Sequence, residues 1–309
     1  MVIGGDLGID TVRLGGPSRR GFSLSPGWQS TGSYDDDGNY APRSFLRKLD
    51  GGGVLQVMAG QDREYAFVEA SLPKIAGGDN VRPLELDHAR EVVPKLLAAA
   101  EQFVTWDEPV VVNRLDVARD FTDLHEGGAV VLGLSSVPLP GRKVRDLYRD
   151  PQHGGAQTLF VRNGGGGCRL YDKHEETRSE LALGRFRCEA QERRRGLRNQ
   201  GVERWCDLTE ADITRVGHSR FTWAGFDRPI ATAGGALSRI LAAPVTDGQR
   251  AQMIAGLTLS AEGLWERLGN RQRRSRVRKL LEDHGCFATD NVRELIRLDY
   301  HHGVIRKAA

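Results

Sequence analysis

The chain has 309 residues, 39% of them hydrophobic and 28% charged, with no apolar run near the ~20 residues that cross a bilayer, which excludes disordered, collagen-like and membrane-spanning classes. A length of 309 at roughly 150 residues per domain predicts two domains, or one large domain with an appendage, and Gly and Asp stand where a secretory signal would need an apolar stretch, which predicts a cytoplasmic protein. The net charge of +3 conceals an uneven division: residues 185–309 hold 23 Lys+Arg against 15 Asp+Glu, a net of +8, and residues 1–184 carry −5. A basic C-terminal part suits a polyanionic partner, because phosphate neutralisation releases counterions.

The first strand signal is Tyr65–Ser71 (YAFVEAS), followed by a turn rich in Pro and Gly. Residues 86–104 have helical periodicity, with Pro94 expected to kink or split the helix. Residues 110–121 (VVVNRLDVARDF) are the strongest strand, rich in β-branched side chains. After a second helix-like stretch at 126–134 and a loop with Pro138, Pro140 and Pro151, residues 157–162 and 168–173 flank a glycine tract and read as a β-hairpin. Residues 185–192 (RFRCEAQE) continue the series.

Five strands with two intervening helices imply an α+β fold around a largely antiparallel central sheet with flanking helices. Thr209 and Asp212 make a weak capping box, and helix formers dominate beyond it. Residues 249–257, 260–268 and 273–284 read as three short helices, the last capped by Gly285, compatible with a helix-turn-helix or winged-helix-like module. The expected domains are therefore residues 1–205 and a helical DNA-binding domain of residues 206–309. Cys168, Cys188, Cys206 and Cys286 form no CxxC pair, so neither disulfides nor structural zinc are expected.

Period-two geometry sorts the strand residues by face. Arg114, Asp116 and Asp120 share one face; Arg187, Glu189 and Gln191 share another, and Glu69 points away from Val68 and Ala70. In the hairpin, Arg169, Tyr171 and Lys173 lie opposite Leu170. Glu69, Asp116 and Glu189 could supply hard oxygen ligands to Mg²⁺ or Mn²⁺, and Tyr171 beside Lys173 could be a nucleophile, since a nearby cation favours the phenolate of a group that titrates near ~10. The same pattern also fits the solvated face of a sheet with a half-buried strand tyrosine.

Four segments in order resemble the gene II replication proteins of filamentous phages and the related plasmid rolling-circle initiators of the Rep_trans-like kind. They are Val68-Glu69-Ala70-Ser71-Leu72-Pro73-Lys74 with Gly78-Asp79-Asn80-Val81; Asn113-Arg114-Leu115-Asp116; Arg169-Leu170-Tyr171-Asp172-Lys173-His174-Glu175; and Phe186-Arg187-Cys188-Glu189-Ala190 with Leu197 and Gly201 beyond. The likeness spans about residues 65–205. It departs from the family at Phe160, where related plasmid initiators often have a second Tyr, and in lacking a paired-His metal motif; His301-His302 reads as an ordinary tail feature.

The resemblance implies a rolling-circle replication initiator, a sequence-specific nicking endonuclease that cuts and rejoins one DNA strand through a 5′-phosphotyrosine. Tyr171 takes the nucleophile's place and Lys173 its neighbour's, while Glu69, Asp116 and Glu189 take the positions that bind a divalent metal, Mg²⁺ or Mn²⁺. Arg169 is placed to stabilise phenolate or phosphate. Arg193, Arg194, Arg195 and Arg198 follow Glu189, and Arg271, Arg273, Arg274, Arg276, Arg278 and Lys279 crowd one expected helix; these are the expected DNA contacts. The implied partners are a double-stranded origin, a locally single-stranded nick site, and host helicase and polymerase, because no GxxxxGK[ST] loop occurs. A homodimer is compatible with the pattern, and no membrane partner is expected. The alternatives are a DNA-binding replication or transcription regulator without catalysis, working through its C-terminal helices, and a metal-dependent phosphodiesterase or recombinase with water as nucleophile.

Overall fold

Ten strands form one antiparallel sheet: β1 (Leu7–Pro17), β2 (Trp28–Tyr34), β3 (Tyr40–Lys48), β4 (Val54–Met58), β5 (Tyr65–Ser71), β6 (Val111–Phe121), β7 (Val144–Arg149), β8 (Ala156–Asn163), β9 (Gly166–Asp172) and β10 (Phe186–Arg193). Their order is β2-β3-β4-β5-β1-β6-β10-β9-β8-β7. The helices with defined bounds are α1 (Leu72–Ile75), α2 (Leu86–Ala100), α3 (Lys173–Thr177), α4 (Arg194–Asn199), α5 (Glu210–Ala224), α6 (Asp247–Ala261) and α7 (Arg271–Asp283), and residues 131, 134 and 240–242 are helical too. A second, three-stranded sheet joins β11 (Ile230–Ala231), β12 (Leu295–Asp299) and β13 (Val304–Ala308). The computed structural model describes residues 6–19, 21–34, 40–49, 52–59, 64–77, 80–106, 109–121, 131, 134, 144–149, 156–227, 230–231, 240–261, 265–284, 286, 295–302 and 304–308.

The α+β class and antiparallel sheet expected from the sequence are present, with twice the five strands expected in that sheet. The strand missing from the sequence reading with most consequence is β1, whose Gly8, Gly15 and Gly16 look like loop residues. Packing explains the first two: a Cβ on Gly8 would lie 2.3 Å from the Leu84 carbonyl oxygen and one on Gly15 2.4 Å from Asn113 Nδ2. The Ile9 and Leu84 backbones, which bond each other at 2.7 and 3.0 Å, could not approach if Gly8 carried a side chain.

The chain forms two compact units, each assembled from separated stretches. One unit comprises Asp6–Arg119 and Glu189–His218. Its sheet alternates as expected: Ala66, Val68 and Ala70 of β5 are buried while Phe67, Glu69 and Ser71 are partly exposed. α2 buries Leu86, Ala89, Val92, Val93, Leu96 and Ala100, the stripe of an amphipathic helix, and it continues through Pro94 as one element rather than splitting. Phe22, Phe45 and Trp28 all pack on Phe103, with ring centroids 4.7 to 4.9 Å from it.

The other unit comprises Met1–Gly5, Asp120–Cys188 and Ser219–Ala309. The expected hairpin is β8 with β9, pairing Asn163 with Gly166 across a two-residue Gly164-Gly165 turn in which the Gly165 N–H donates to Asn163 Oδ1 at 2.9 Å. Phe221 lies 5.9 Å from Phe121 and 5.1 Å from Tyr300, ring centroid to ring centroid.

Three C-terminal expectations are corrected. The helices expected at 249–257 and the start of 260–268 are one helix, α6, and Trp265–Leu268, at the end of the second, form a 3₁₀ turn. The last helix starts two residues earlier than expected, at Arg271, because the Asn270 side chain accepts from the Arg273 N–H at 2.9 Å and caps it. The segment is not wholly helical: β12 and β13 pair antiparallel, with His301 and His302 exposed in the turn between them. Most of the helix expected at 126–134, the three loop prolines, Gly78, Asp79 and the Gly285 cap lie outside the described residues.

Candidate functional site

Two of the three proposed acidic ligands meet through an arginine. Arg114 on β6 donates from Nε to Asp116 Oδ1 at 2.8 Å and from a terminal nitrogen to Glu69 Oε1 at 2.8 Å, and it also pairs with Asp116 Oδ2. Arg13 on β1 donates from Nε to Glu69 Oε2 at 2.6 Å. β5 and β6 both pair with β1, and the registers set Arg13 opposite Glu69 on one side and Arg114 on the other. Gln191 on β10, with its amide oxygen turned toward the guanidinium, accepts from Arg114 Nε at 2.9 Å.

Asp116 is wholly buried, and burial pushes its carboxyl up to about 7. The Arg114 guanidinium opposes that rise, and the carboxylates of Glu189 and Asp10 add to it. Burial works against the Arg114 charge, but its hydrogen bond to Asp116 and the charges of Asp116, Glu69 and Glu189 hold it above its ordinary value. Glu189 thus belongs to the same electrostatic cluster. Asp10 and Arg13, which belong to it as well, escaped the sequence reading because β1 did. Strict alternation would in any case have misplaced Asp10, setting it with Val12 and Leu14 and opposite Arg13; the register shift between Ile9 and Thr11 breaks that period.

The donor chemistry, hard carboxylate oxygen, suits Mg²⁺ or Mn²⁺. The arrangement does not: both oxygens of Glu69 and both of Asp116 are taken by guanidinium groups. Among the described residues no three His, Cys, Asp or Glu side chains are disposed to hold a metal ion. A cation at these carboxylates would have to displace Arg114.

Tyr171 lies near the end of β9, paired with Thr158 of β8, and is 4% exposed. Two cations flank its ring: the Arg169 guanidinium carbon 5.2 Å and the Lys173 ammonium 5.6 Å from the centroid. The strand was expected to run to Lys173, but it ends at Asp172. Asp172 caps α3, accepting from the His174 and Glu175 N–H groups at 2.9 and 3.2 Å, so Lys173 is the first residue of a helix. Lys173 is buried and its ammonium pairs with Glu176 at 2.5 Å. Phe160, in the place of a second tyrosine, pairs with Arg169.

A second buried ion pair joins residues that alternation had put on common faces: Arg187 donates from Nε to Asp120 Oδ1 at 2.6 Å, and Arg185 reaches Asp120 Oδ2 at 3.3 Å. Among the expected DNA contacts, several arginines are already engaged. Arg194 donates to the carbonyls of Glu203 and Val112 at 3.0 and 3.3 Å, Arg198 pairs with Glu203 at 3.5 Å, Arg274 pairs with Glu266, and Arg278 lies over Trp265 at 5.6 Å. Arg193 and Arg195 are exposed, as are Arg271, Arg273, Arg276 and Lys279.

No protein-family model and no curated protein matches the chain. Among solved structures it is similar to a rolling-circle replication initiator protein from Geobacillus stearothermophilus, at 15% identity and a TM-score of 0.37, over 64% of this chain and 77% of that one. No helix among the described residues is long and apolar enough to cross a membrane.

Proposed function

We propose that the protein is a rolling-circle replication initiator, a DNA strand-nicking and rejoining enzyme whose nucleophile is Tyr171. The observation that carries this reading is Tyr171 itself: the tyrosine of the third motif segment has a guanidinium and an ammonium on its ring at 5.2 and 5.6 Å. Both cations lie close enough to the ring to share the charge of a phosphate that approaches it. In the reaction, the Tyr171 oxygen attacks the scissile phosphorus, the bond to the 3′ oxygen breaks, and the products are a 5′-phosphotyrosyl protein and a DNA 3′-OH able to prime a polymerase. Attack by that hydroxyl reverses the step and rejoins the strand. A locally unpaired strand is the fitting substrate, since its flexible backbone can turn a phosphate into line with a tyrosine set in a sheet, as a stiff duplex does not.

The resemblance assigns Glu69, Asp116 and Glu189 to Mg²⁺ or Mn²⁺. In this reading they hold Arg114 in place, and dependence on a divalent ion is one of the outcomes the assay separates. Exposed Arg193 and Arg195 provide phosphate contacts, whereas Arg194 serves the chain's own carbonyls.

The burial of Tyr171 favours a second reading: a non-catalytic DNA-binding regulator of replication or transcription in which this tyrosine only packs. One assay divides them. Labelled single strands carrying inverted repeats are incubated with the protein in Mn²⁺, in Mg²⁺ and in chelator, with Tyr171→Phe in parallel. A covalent protein–DNA adduct absent from Tyr171→Phe supports the nicking enzyme. Cleavage without an adduct points to water as nucleophile, and binding without cleavage to the regulator.

A further inference from the structure

Six basic residues crowd α7, and the structure divides them by what they already touch. Val277 and Leu281 are buried against α6, where Gly256 leaves no room for a side chain: a Cβ there would sit 2.6 Å from Val277 Cγ1. Arg274 is held by Glu266 and Arg278 lies over the Trp265 ring, so both serve the turn between α6 and α7. At 100° per residue, the direction opposite Val277 and Leu281 is occupied by Gln272, Ser275, Arg276 and Lys279, spaced i, i+3, i+4 and i+7, and all four are exposed. Arg271 and Arg273, also exposed, flank this stripe one on each side.

We propose that α7 is a recognition helix for duplex DNA, with Gln272, Ser275, Arg276 and Lys279 turned to base edges in the major groove and Arg271 and Arg273 on the phosphates that border it. The residue types suit the division. Gln, Ser, Arg and Lys carry the donors and acceptors that read adenine and guanine edges, and Arg flanks neutralise backbone charge. The named elements run in the order of a winged helix-turn-helix, a short strand β11, helix α6, a turn, helix α7 and the hairpin β12–β13, with β11 paired to β12; residues 240–242, ahead of α6, are helical as well. In such a module the second helix is the one presented to DNA. A helix of 13 residues is about 20 Å long and fits a B-form major groove, which is wide enough to admit it, whereas the deep, narrow major groove of A-form RNA is not. The outer face of α7 is wholly polar, so it has nothing to bury in a lipid surface.

Recognition by α7 does not depend on the role assigned to Tyr171, and the test keeps the two apart by using the Tyr171→Phe chain in chelator, where neither the tyrosine nor a metal-activated water cuts the strand. The probe is a duplex library with a randomised central segment, selected at 0.15 M salt and competed with a structured RNA. The expected result is a duplex motif. Affinity for it falls about 5- to 100-fold in Gln272→Ala or Arg276→Ala, with preference lost at particular positions and bulk duplex binding little changed. Arg276→Lys keeps the salt dependence but loses the same preference. Arg271→Ala and Arg273→Ala weaken all sequences alike, and each lowers the slope of log affinity against log salt by about one. All six positions are exposed, and circular dichroism checks that the variants fold. Selection of no motif, an identical motif from Arg276→Ala, or binding confined to RNA or single strands overturns the inference.

Discussion

At the scale of single residues, Asp116 is the most informative side chain. Its carboxyl, with an ordinary value of 3.8, is pushed to about 7 in the folded chain, chiefly by burial. Between those two values the folded protein keeps a proton that the unfolded chain has released, so stability must fall as pH rises from about 4 to about 7 and stay low above it. The contribution is on the order of 4 kcal/mol as an upper bound. Asp116→Asn removes it: in urea unfolding with chelator present, the variant is expected to lose less stability than the wild type between pH 4.5 and 7.5. An unchanged pH profile would show that Asp116 is ionised throughout and that Arg114 neutralises it fully.

Arg114 gives the companion prediction. Truncation to Ala strips Glu69 and Asp116 of a shared partner and is expected to cost roughly 3–5 kcal/mol. It also frees carboxylate oxygens, so Mn²⁺ should raise the Tm of Arg114→Ala more than that of the wild type in a thermal shift measurement. Equal responses in the two proteins would mean that the cation never competes with Arg114. The three carboxylates were readable from strand alternation because Glu69, Asp116 and Glu189 each stand between apolar neighbours in β5, β6 and β10. Alternation reveals a shared face but not who bonds whom, and three acids on one face were read as a metal cage when an arginine on the same face already satisfied two of them.

At the scale of elements, local signals carried where bonds are local. Thr209 and Asp212 form the capping box their spacing suggested: the Thr209 N–H donates to Asp212 Oδ2 at 2.9 Å, and the Asp212 N–H donates to Thr209 Oγ1 at 3.2 Å. Thr209→Ala is expected to cost about 1 kcal/mol in denaturant unfolding. The hairpin around Gly164-Gly165 was equally legible. β1 was not, since its glycines serve contacts with Leu84 and Asn113, distant in sequence. Gly256 in α6 is the same device in a helix. Propensity alone makes Gly256→Ala stabilising by nearly ~1 kcal/mol, but the new methyl would meet the stiff Val277 at 2.6 Å. The expected net result is a loss of about 1–3 kcal/mol, and a gain in Tm would show that α6 and α7 are not packed so closely.

For the molecule as a whole, the lesson lies in how the chain is partitioned. Charge and helix content suggest a cut between residues 205 and 206, and the compact unit that begins at Asp6 also takes in Glu189–His218. Leu208, Ile213 and Val216 are all buried in its core. A chain ending at residue 205 therefore loses three core side chains worth about 1.5–3 kcal/mol each, a total comparable with the whole stability of an ordinary domain. It also loses Ser219–Ala309, which belongs to the other unit together with Asp120–Cys188. Residues 1–205 alone are expected to unfold without a sharp cooperative transition and to bind a hydrophobic dye at low denaturant, whereas the full chain gives a sharp transition. A cooperative melt from residues 1–205 would show instead that the sheet is self-sufficient and that Leu208, Ile213 and Val216 only cover it.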